Sequence, residues 1–281
     1  MINLLYCGNA KVFDGLMISL LSIARHTDDK LNVYCLTMDL RELGENNIPI
    51  SKEQVEFIES KLREVNSESV IHLIDVKDKY MEAMASGKNA KTRFTPYSML
   101  RLLADEIDEI PSKIIYLDTD TIINNDLHQL FDIDITDYEL GTVDDLFNWL
   151  VPSRWFVKHY FNSGVLLINM DMIRQTKLFK KTREYMQTHK LLFPDQDALN
   201  RCVTKKKVLP VIFNSKDKYY KEIVVHHFCN VRKKGNYAFR VKPWMVDLVK
   251  QRMHAYDDLL NDYLEYKQEF EQLHSKNNEN D

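Results

Sequence analysis

Asp118 and Asp120 stand one residue apart in the segment Ile-Ile-Tyr-Leu-Asp-Thr-Asp-Thr-Ile-Ile. Two carboxylates at that spacing, closing an apolar run, make a hard-oxygen site suited to Mn²⁺ or Mg²⁺, ions that also coordinate phosphate oxygens. Such an ion neutralises a diphosphate and stabilises it as a leaving group. Taken alone, the pattern serves equally as a solvated loop at a strand end; the apolar run before it favours the site.

Five other segments carry candidate chemistry. Val224-Val225-His226-His227-Phe228-Cys229 places histidines just past a late strand, where one of them can complete a metal shell or simply be satisfied in the core. Tyr160-Phe161-Asn162-Ser163-Gly164-Val165 interrupts an apolar strand with groups able to meet a sugar hydroxyl, glycine allowing close backbone approach and Asn offering both donor and acceptor. The same interruption is also what a β-bulge looks like. Phe193-Pro194-Asp195-Gln196-Asp197 reads as a helix N-terminus, where Asp is expected in any case, or as Asp195 and Gln196 facing a ligand. Arg232-Lys233-Lys234 and Lys242-Pro243-Trp244 are basic enough to meet phosphate, whereas Lys205-Lys206-Lys207 reads as a solvated face.

These residues need a scaffold, and the first 120 positions supply one by alternating strand and helix signals. Ile2–Cys7, Leu31–Leu36, Val70–Ile74 and Ile114–Leu117 read as strands. Between them lie a helix over Phe13–His26, one opened by the capping box Ser51-Lys-Glu-Gln54, and one opened by Thr95-Pro96 that carries Tyr97, Leu100 and Arg101. This alternation predicts an α/β fold with a mostly parallel central sheet flanked by helices. Ligands of such sheets bind at the carboxyl ends of the strands, and both Cys7-Gly8-Asn9 and Asp118-Thr119-Asp120 fall there. Further strands are expected at Leu140–Val143, Val165–Ile168, Val208–Phe213 and Ile223–Val225, with helices from Asp171 and near Asp195. Residues 245–281 hold no Gly or Pro and read as helix, with Tyr256, Leu259, Leu260, Tyr263, Tyr266, Phe270 and Leu273 on one face. Two parts follow: a catalytic domain over 1–244 and a C-terminal helical appendage over 245–281.

Composition narrows the function classes. The 281 residues carry a net charge of −4, which argues against a general nucleic-acid binder. No run approaches the ~18–20 apolar residues of a membrane-spanning helix. Met1-Ile-Asn-Leu-Leu-Tyr-Cys lacks a basic leader region and reads directly as a strand. Cys7, Cys35, Cys202 and Cys229 show no C-x-x-C spacing, so reduced thiols of a cytoplasmic protein are expected. Between 245 and 281, four Lys/Arg face nine Asp/Glu, so anionic lipid should repel this stretch. Membrane association is therefore at most peripheral, at the inner face of the plasma membrane. The helical appendage is expected to pack on the domain or in a homo-oligomer interface.

Taken in order, the segments resemble glycosyltransferase family 8, the retaining, metal-dependent group with a Rossmann-like GT-A fold. The match runs over roughly 1–245: an N-terminal nucleotide strand, an arginine helix ahead of Tyr-Leu-Asp-Thr-Asp, then Phe-Asn-Ser-Gly-Val-Leu-Leu-Ile-Asn, Asp-Gln-Asp-Ala-Leu-Asn, His-Phe-Cys and Lys-Pro-Trp. Each is weak singly, and together in order they are specific. Bacterial lipopolysaccharide-type galactosyl- and glucosyltransferases are the most similar in character.

The resemblance implies roles. Asp118, Asp120 and His227 would be the metal ligands, with His227 fitting better than His226. Cys7, Gly8, Asn9, Arg101, Thr119, Asn230 and Lys242 would bind the nucleotide-sugar donor, Lys242 at its diphosphate and Arg101 near its sugar. Asn162, Asp195 and Gln196 would line the sugar site and act in catalysis. The implied activity is hexosyl transfer, of galactose or glucose, from a UDP-sugar to a saccharide or glycoconjugate acceptor, in bacterial cell-surface polysaccharide synthesis. Three departures stand out. Gly8-Asn9-Ala10-Lys11 replaces the family's acidic N-terminal motif, Asn230 stands where a glycine is usual, and Val231–Val241 separates the histidine segment from Lys242-Pro243-Trp244 as a candidate basic lid.

A double displacement needs a nucleophile beneath the anomeric carbon. Only Asp195 and Gln196 are on offer, and an amide is a poor nucleophile, so a front-side reaction is favoured. Asp144–Phe156, rich in aromatics, is a candidate acceptor wall or an ordinary core segment. Two other readings compete: a haloacid-dehalogenase-like phosphatase with Asp118 as nucleophile, and a non-catalytic nucleotide-sugar-binding module.

Overall fold

Every residue of Ile2–Cys7 is buried, which a strand achieves only with helices on both faces of its sheet. A computed structural model describes residues 1–89, 95–145, 157–216, 219–229, 232–233, 236–237 and 241–278. In it the first strand, β1 (Ile2–Cys7), runs parallel to β2 (Leu31–Thr37) and β4 (Lys113–Leu117) on either side. Beyond β2 lies β3 (Val70–Asp75), also parallel. Beyond β4 come β7 (Phe161–Asn169), β6 (Leu140–Asp144) and β8 (Lys206–Val208), giving the order β3-β2-β1-β4-β7-β6-β8. Only β7 runs against its neighbours.

Strand alternation divides the core into two layers. Ile2, Leu4 and Tyr6 of β1 join a cluster with Leu16 and Leu20 of α1 (Phe13–Ala24) and Val55 and Ile58 of α2 (Lys52–Val65). Leu5 and Cys7 face the opposite cluster, built from α3 (Lys77–Ala83), the 3-10 segment Pro96–Glu106, α5 (Met170–Thr176), α6 (Leu178–Thr188) and α7 (Pro194–Cys202), while α4 (His128–Phe131) adds Leu130 to the first cluster. The capping box of α2 forms as expected: Ser51 Oγ accepts from Gln54 N at 3.1 Å, and Ser51 N donates to Gln54 Oε1 at 3.0 Å. All four cysteines are free, and no described helix is long and apolar enough to cross a membrane.

Several elements depart from the sequence expectations. Proline starts the 96–106 segment, but Thr95 makes no side-chain cap and the turn type is 3-10. The strand expected over Val208–Phe213 stops at Val208, and Val211–Phe213 is a 3-10 turn. Pro210 between them has no N–H to donate to a ladder. The late strand sits slightly further on, as β9 (Val225–His227). The helical stretch after 245 is broken into α8 (Val246–Lys250), a 3-10 turn at His254–Tyr256 and α9 (Asp257–Asn278). No Gly or Pro causes that break; Met253 and Tyr256 turn into the core instead.

The C-terminal segment packs on the sheet domain. Leu259, Leu260 and Tyr263 belong to the same cluster as α1, and the Phe270 ring packs tilted against Phe13 and edge-on to Phe57, with ring centroids 4.5 and 5.1 Å away. Lys267 meets Asp14 at 3.1 Å. Leu273, expected on the apolar face, lies half exposed beyond this contact.

Candidate active site

The end of β4 is where the chain changes sheet. After Asp118-Thr119-Asp120 it continues as β5 (Thr121–Ile123), which pairs antiparallel with β9 so that Thr121 lies opposite His227. Phe228 N donates to Asp120 O at 2.8 Å. This ladder brings a histidine more than a hundred positions away onto the two carboxylates. Alternation along β9 then separates the neighbours: His227 faces the carboxylates, while His226 points away and meets Tyr256 Oη at 2.6 Å.

Asp118, Asp120 and His227 offer one ligand atom each within 4.8 Å of one another. His227 Nε2 is 3.1 Å from Asp120 Oδ1 and 3.6 Å from Asp118 Oδ2. It is buried and makes no hydrogen bond of acceptable geometry. A buried nitrogen without a well-aligned hydrogen bond is costly, and the two carboxylates around it make with it a donor set that fits a divalent cation. Burial alone would raise the Asp120 carboxyl, but His227 and Lys242 outweigh it and hold the group well below the usual carboxylate range.

Gly164 on β7 makes the convergence possible. Its carbonyl accepts from Asp118 N at 2.8 Å, and a Cβ there would lie 2.2 Å from His227 Cε1 and 2.6 Å from Asp118 Oδ2. On the other side, Gly15 of α1 brings the helix against the Thr119 carbonyl and the Trp244 ring, which a Cβ would meet at 2.5 and 2.8 Å.

Behind the carboxylates lies a buried cation. Arg101 is 2% exposed; its Nη2 reaches Asp118 Oδ1 at 3.2 Å and Asp195 Oδ2 at 3.3 Å, and Nη1 donates to the Ser163 carbonyl. The guanidinium lies over the Tyr116 ring, 4.0 Å from its centroid, and Tyr116 Oη donates to Asp118 Oδ1 at 2.6 Å. Asp195 also accepts from Ser163 Oγ at 3.1 Å. Burial raises its carboxyl above the usual range, against the pull of Arg101. Next to it, Gln196 Oε1 accepts from Asn162 Nδ2 at 2.9 Å, and Gln196 Nε2 donates to Tyr160 Oη at 3.0 Å. The β6–β7 register shifts here: Thr142 pairs with Leu166 but Asp144 with Phe161, so Val143 alone faces Asn162–Val165 and the Asn162-Ser163-Gly164 segment bulges from that ladder, as its sequence allowed.

A model of the family described as Glycosyl transferase family 8 matches residues 3–245 of this geometry's chain. The chain belongs to glycosyltransferase family 8. Family membership displaces the phosphatase reading of Asp118. A Haemophilus influenzae protein assigned to the glycosyltransferases is 28% identical over 257 residues, covering 82% of this chain and 72% of the relative. A lipopolysaccharide 1,3-galactosyltransferase of Salmonella typhimurium is 25% identical over 169 residues, covering 56% of this chain and 48% of the relative. The fold is shared with the galactosyltransferase LgtC, solved with donor and acceptor sugar analogues: TM-score 0.70 at 21% identity, covering 93% of this chain and 96% of that one. The architecture is thus GT-A.

Of the expected site residues, direct contacts join Arg101 to Asp118 and Asp195, Lys242 to Asp120, and Asn162 to Gln196. Lys242 Nζ is held by Asp120 Oδ2 and by the Phe228 carbonyl at 3.0 Å, on the far side of Asp120 from His227. Cys7, Gly8 and Asn9 end β1; Asn9 Oδ1 caps the turn that follows by accepting from Lys11 N at 3.2 Å, and the Gly8 carbonyl accepts from Thr37 Oγ1 at 2.9 Å. Asn230 lies outside the described residues, as does 146–156 of the candidate acceptor wall. Of the candidate lid, β10 (Arg232–Lys233) pairs antiparallel with β11 (Asn236–Tyr237), and residues 231, 234–235 and 238–240 lie outside the described residues.

Sequence reasoning named Tyr160, Ser163 and Asp197 within its motifs but gave Tyr160 and Asp197 no role of their own, and it missed Tyr116, Asn214 and the buried pair Lys216–Asp145 at 2.9 Å. Tyr116 stands two residues before Asp118 and was open to notice. Asn214 and Lys216 follow an apolar run with no spacing that marks them.

Proposed function

We propose that this family 8 protein is a retaining, metal-dependent hexosyltransferase moving galactose or glucose from a UDP-sugar to a saccharide or glycoconjugate acceptor. The observation that carries the reading is the convergence of the buried His227 Nε2 with the Asp118 and Asp120 carboxylates at the carboxyl end of β4. Bound there, Mn²⁺ or Mg²⁺ supplies charge neutralisation for the departing diphosphate. The chain's own residues do the rest. Lys242 Nζ, on the outer side of Asp120, is positioned to share the diphosphate charge. Asn162, Asp195 and Gln196 form the wall that receives the sugar, and Arg101 beneath them fixes Asp118 and Asp195 in one arrangement. At the base end, Cys7, Gly8 and Asn9 close the nucleotide strand.

Retention by double displacement would need a free nucleophile. Asp195 is committed to Arg101 and Ser163, and Gln196 presents an amide held by Asn162, Ser163 and Tyr160. We therefore favour a front-side reaction, in which the leaving diphosphate accepts the acceptor's proton. Gln196→Ala is expected to lower turnover by ~10²-fold, the scale of a misplaced substrate, without abolishing it. The product's anomeric proton signal, read by NMR, is expected to match the donor's configuration; an inverted product overturns the reading.

The same reading places the protein in the cytoplasm, peripheral to the membrane at most, in bacterial cell-surface polysaccharide synthesis. The similarity to a lipopolysaccharide galactosyltransferase supports that setting. The acidic balance of 245–281 opposes anionic lipid, and its apolar face is spent largely on the domain itself.

A further inference from the structure

Asn214 follows the 3-10 turn Val211–Phe213, is 3% exposed, and lies beside β9, where Ser215 N donates to the Val225 carbonyl at 2.9 Å. Its two amide atoms face different ends of the site. Asn214 Oδ1 is 2.9 Å from His227 Nδ1, and Asn214 Nδ2 donates to Asn162 Oδ1 at 3.0 Å.

The direction of these bonds follows from two backbone N–H groups, which only donate. Gly164 N at 3.1 Å requires the facing atom of Asn162 to be its oxygen. Asn162 therefore presents Nδ2 to Gln196 Oε1, and that oxygen is fixed independently by Ser163 N at 3.2 Å. The Asn162 oxygen then demands a donor from Asn214, leaving the Asn214 oxygen for His227. His227 Nδ1 must carry a proton, so in the neutral ring Nε2 holds the lone pair that faces Asp118 and Asp120. The run continues from Gln196 Nε2 to Tyr160 Oη and on to Asp197 Oδ1 at 2.7 Å.

We propose that Asn214 is a positioning residue joining the two ends of the site: it sets the His227 tautomer for metal binding and holds Asn162, hence Gln196, for the sugar. Amides and carboxylates behind a ligand histidine commonly do the first of these. A side chain that does both makes metal binding and sugar placement depend on one hydrogen-bond direction. The consequence for metal rests on the hexosyltransferase reading; the tautomer does not.

Imidazole ¹⁵N NMR of the neutral ring in the metal-free protein tests the tautomer directly. Wild type is expected to show His227 protonated at Nδ1, and Asn214→Ala a mixture of tautomers. Calorimetric titration with Mn²⁺ is expected to show ~10–100-fold weaker binding in Asn214→Ala, the usual loss for a partner behind a ligand. Asn214→Asp still accepts from His227 but cannot donate to Asn162; it is expected to keep Mn²⁺ affinity and lose turnover. Far-UV circular dichroism confirms folding of each variant. Protonation of wild-type His227 at Nε2 overturns the proposal. So does unchanged Mn²⁺ binding in Asn214→Ala, or equal loss in Asn214→Asp. A chain with the expected tautomer that binds no Mn²⁺ would instead contradict the metal reading alone.

Discussion

Asp120→Asn is expected to abolish Mn²⁺-dependent sugar transfer, with a loss of at least ~10²–10³-fold, the size seen when one electrostatic contact to a transition state is removed. The side chain lies where three demands meet. One oxygen faces His227 Nε2 at 3.1 Å, the other holds Lys242, and its backbone carbonyl accepts from Phe228 at 2.8 Å. Asn keeps the volume and the backbone contacts, so the β5–β9 ladder survives. What disappears is the anionic charge that a hard cation requires. The amide also offers Lys242 no countercharge, so the lysine should lose its fixed place. Steady-state turnover across a Mn²⁺ series checks this. Rescue by higher Mn²⁺ fits a weakened site, whereas activity near wild type at all concentrations would sink the assignment of Asp120 as a ligand.

Gly164→Ala should have an effect nearly as large for a different reason. The added methyl would sit 2.2 Å from a ring carbon of His227 and 2.6 Å from Asp118 Oδ2, closer than real side-chain atoms approach. Neither neighbour yields easily. His227 is buried and tied to Asn214, and Asp118 is tied through its other oxygen to Tyr116 and Arg101. Overpacking of this kind costs about 1–3 kcal/mol of stability. The larger consequence is that His227 and Asp118 can no longer converge, so Mn²⁺ binding should fall sharply while the protein still folds. Urea unfolding and Mn²⁺ titration on one preparation separate the two effects. Full Mn²⁺ affinity in a folded Gly164→Ala protein would show that the ligands need not approach as closely as they do.

Much of this was legible from local pattern. The β1, β2 and β4 strands announce themselves as short apolar runs, Ser51 and Gln54 mark the start of α2, and the carboxylates of Asp118 and Asp120 follow a run that could only be a buried strand. The family resemblance, through the His-Phe-Cys segment, favoured His227 over His226, and strand alternation supplies the physical reason. What escaped notice depends on contacts between distant segments. The three-residue β5 carries too little periodicity to read, and the late strand expected at Ile223–Val225 forms two residues further on as β9, yet the pairing of these two strands is what delivers His227 to the metal position. Pro210 ended a strand that its apolar neighbours suggested. The break before α9 carries no Gly or Pro and arises because Tyr256 reaches His226. Asn214 gave no signal at all, since its role lies in the direction of two hydrogen bonds and not in its spacing.

Release of UDP by the purified protein from UDP-galactose and UDP-glucose, measured with Mn²⁺ and again with excess EDTA, tests the central claim most directly. The account predicts release from at least one of the two donors, lost on chelation, restored by added Mn²⁺ and absent from Asp120→Asn. Release that persists undiminished in EDTA and in Asp120→Asn would contradict it.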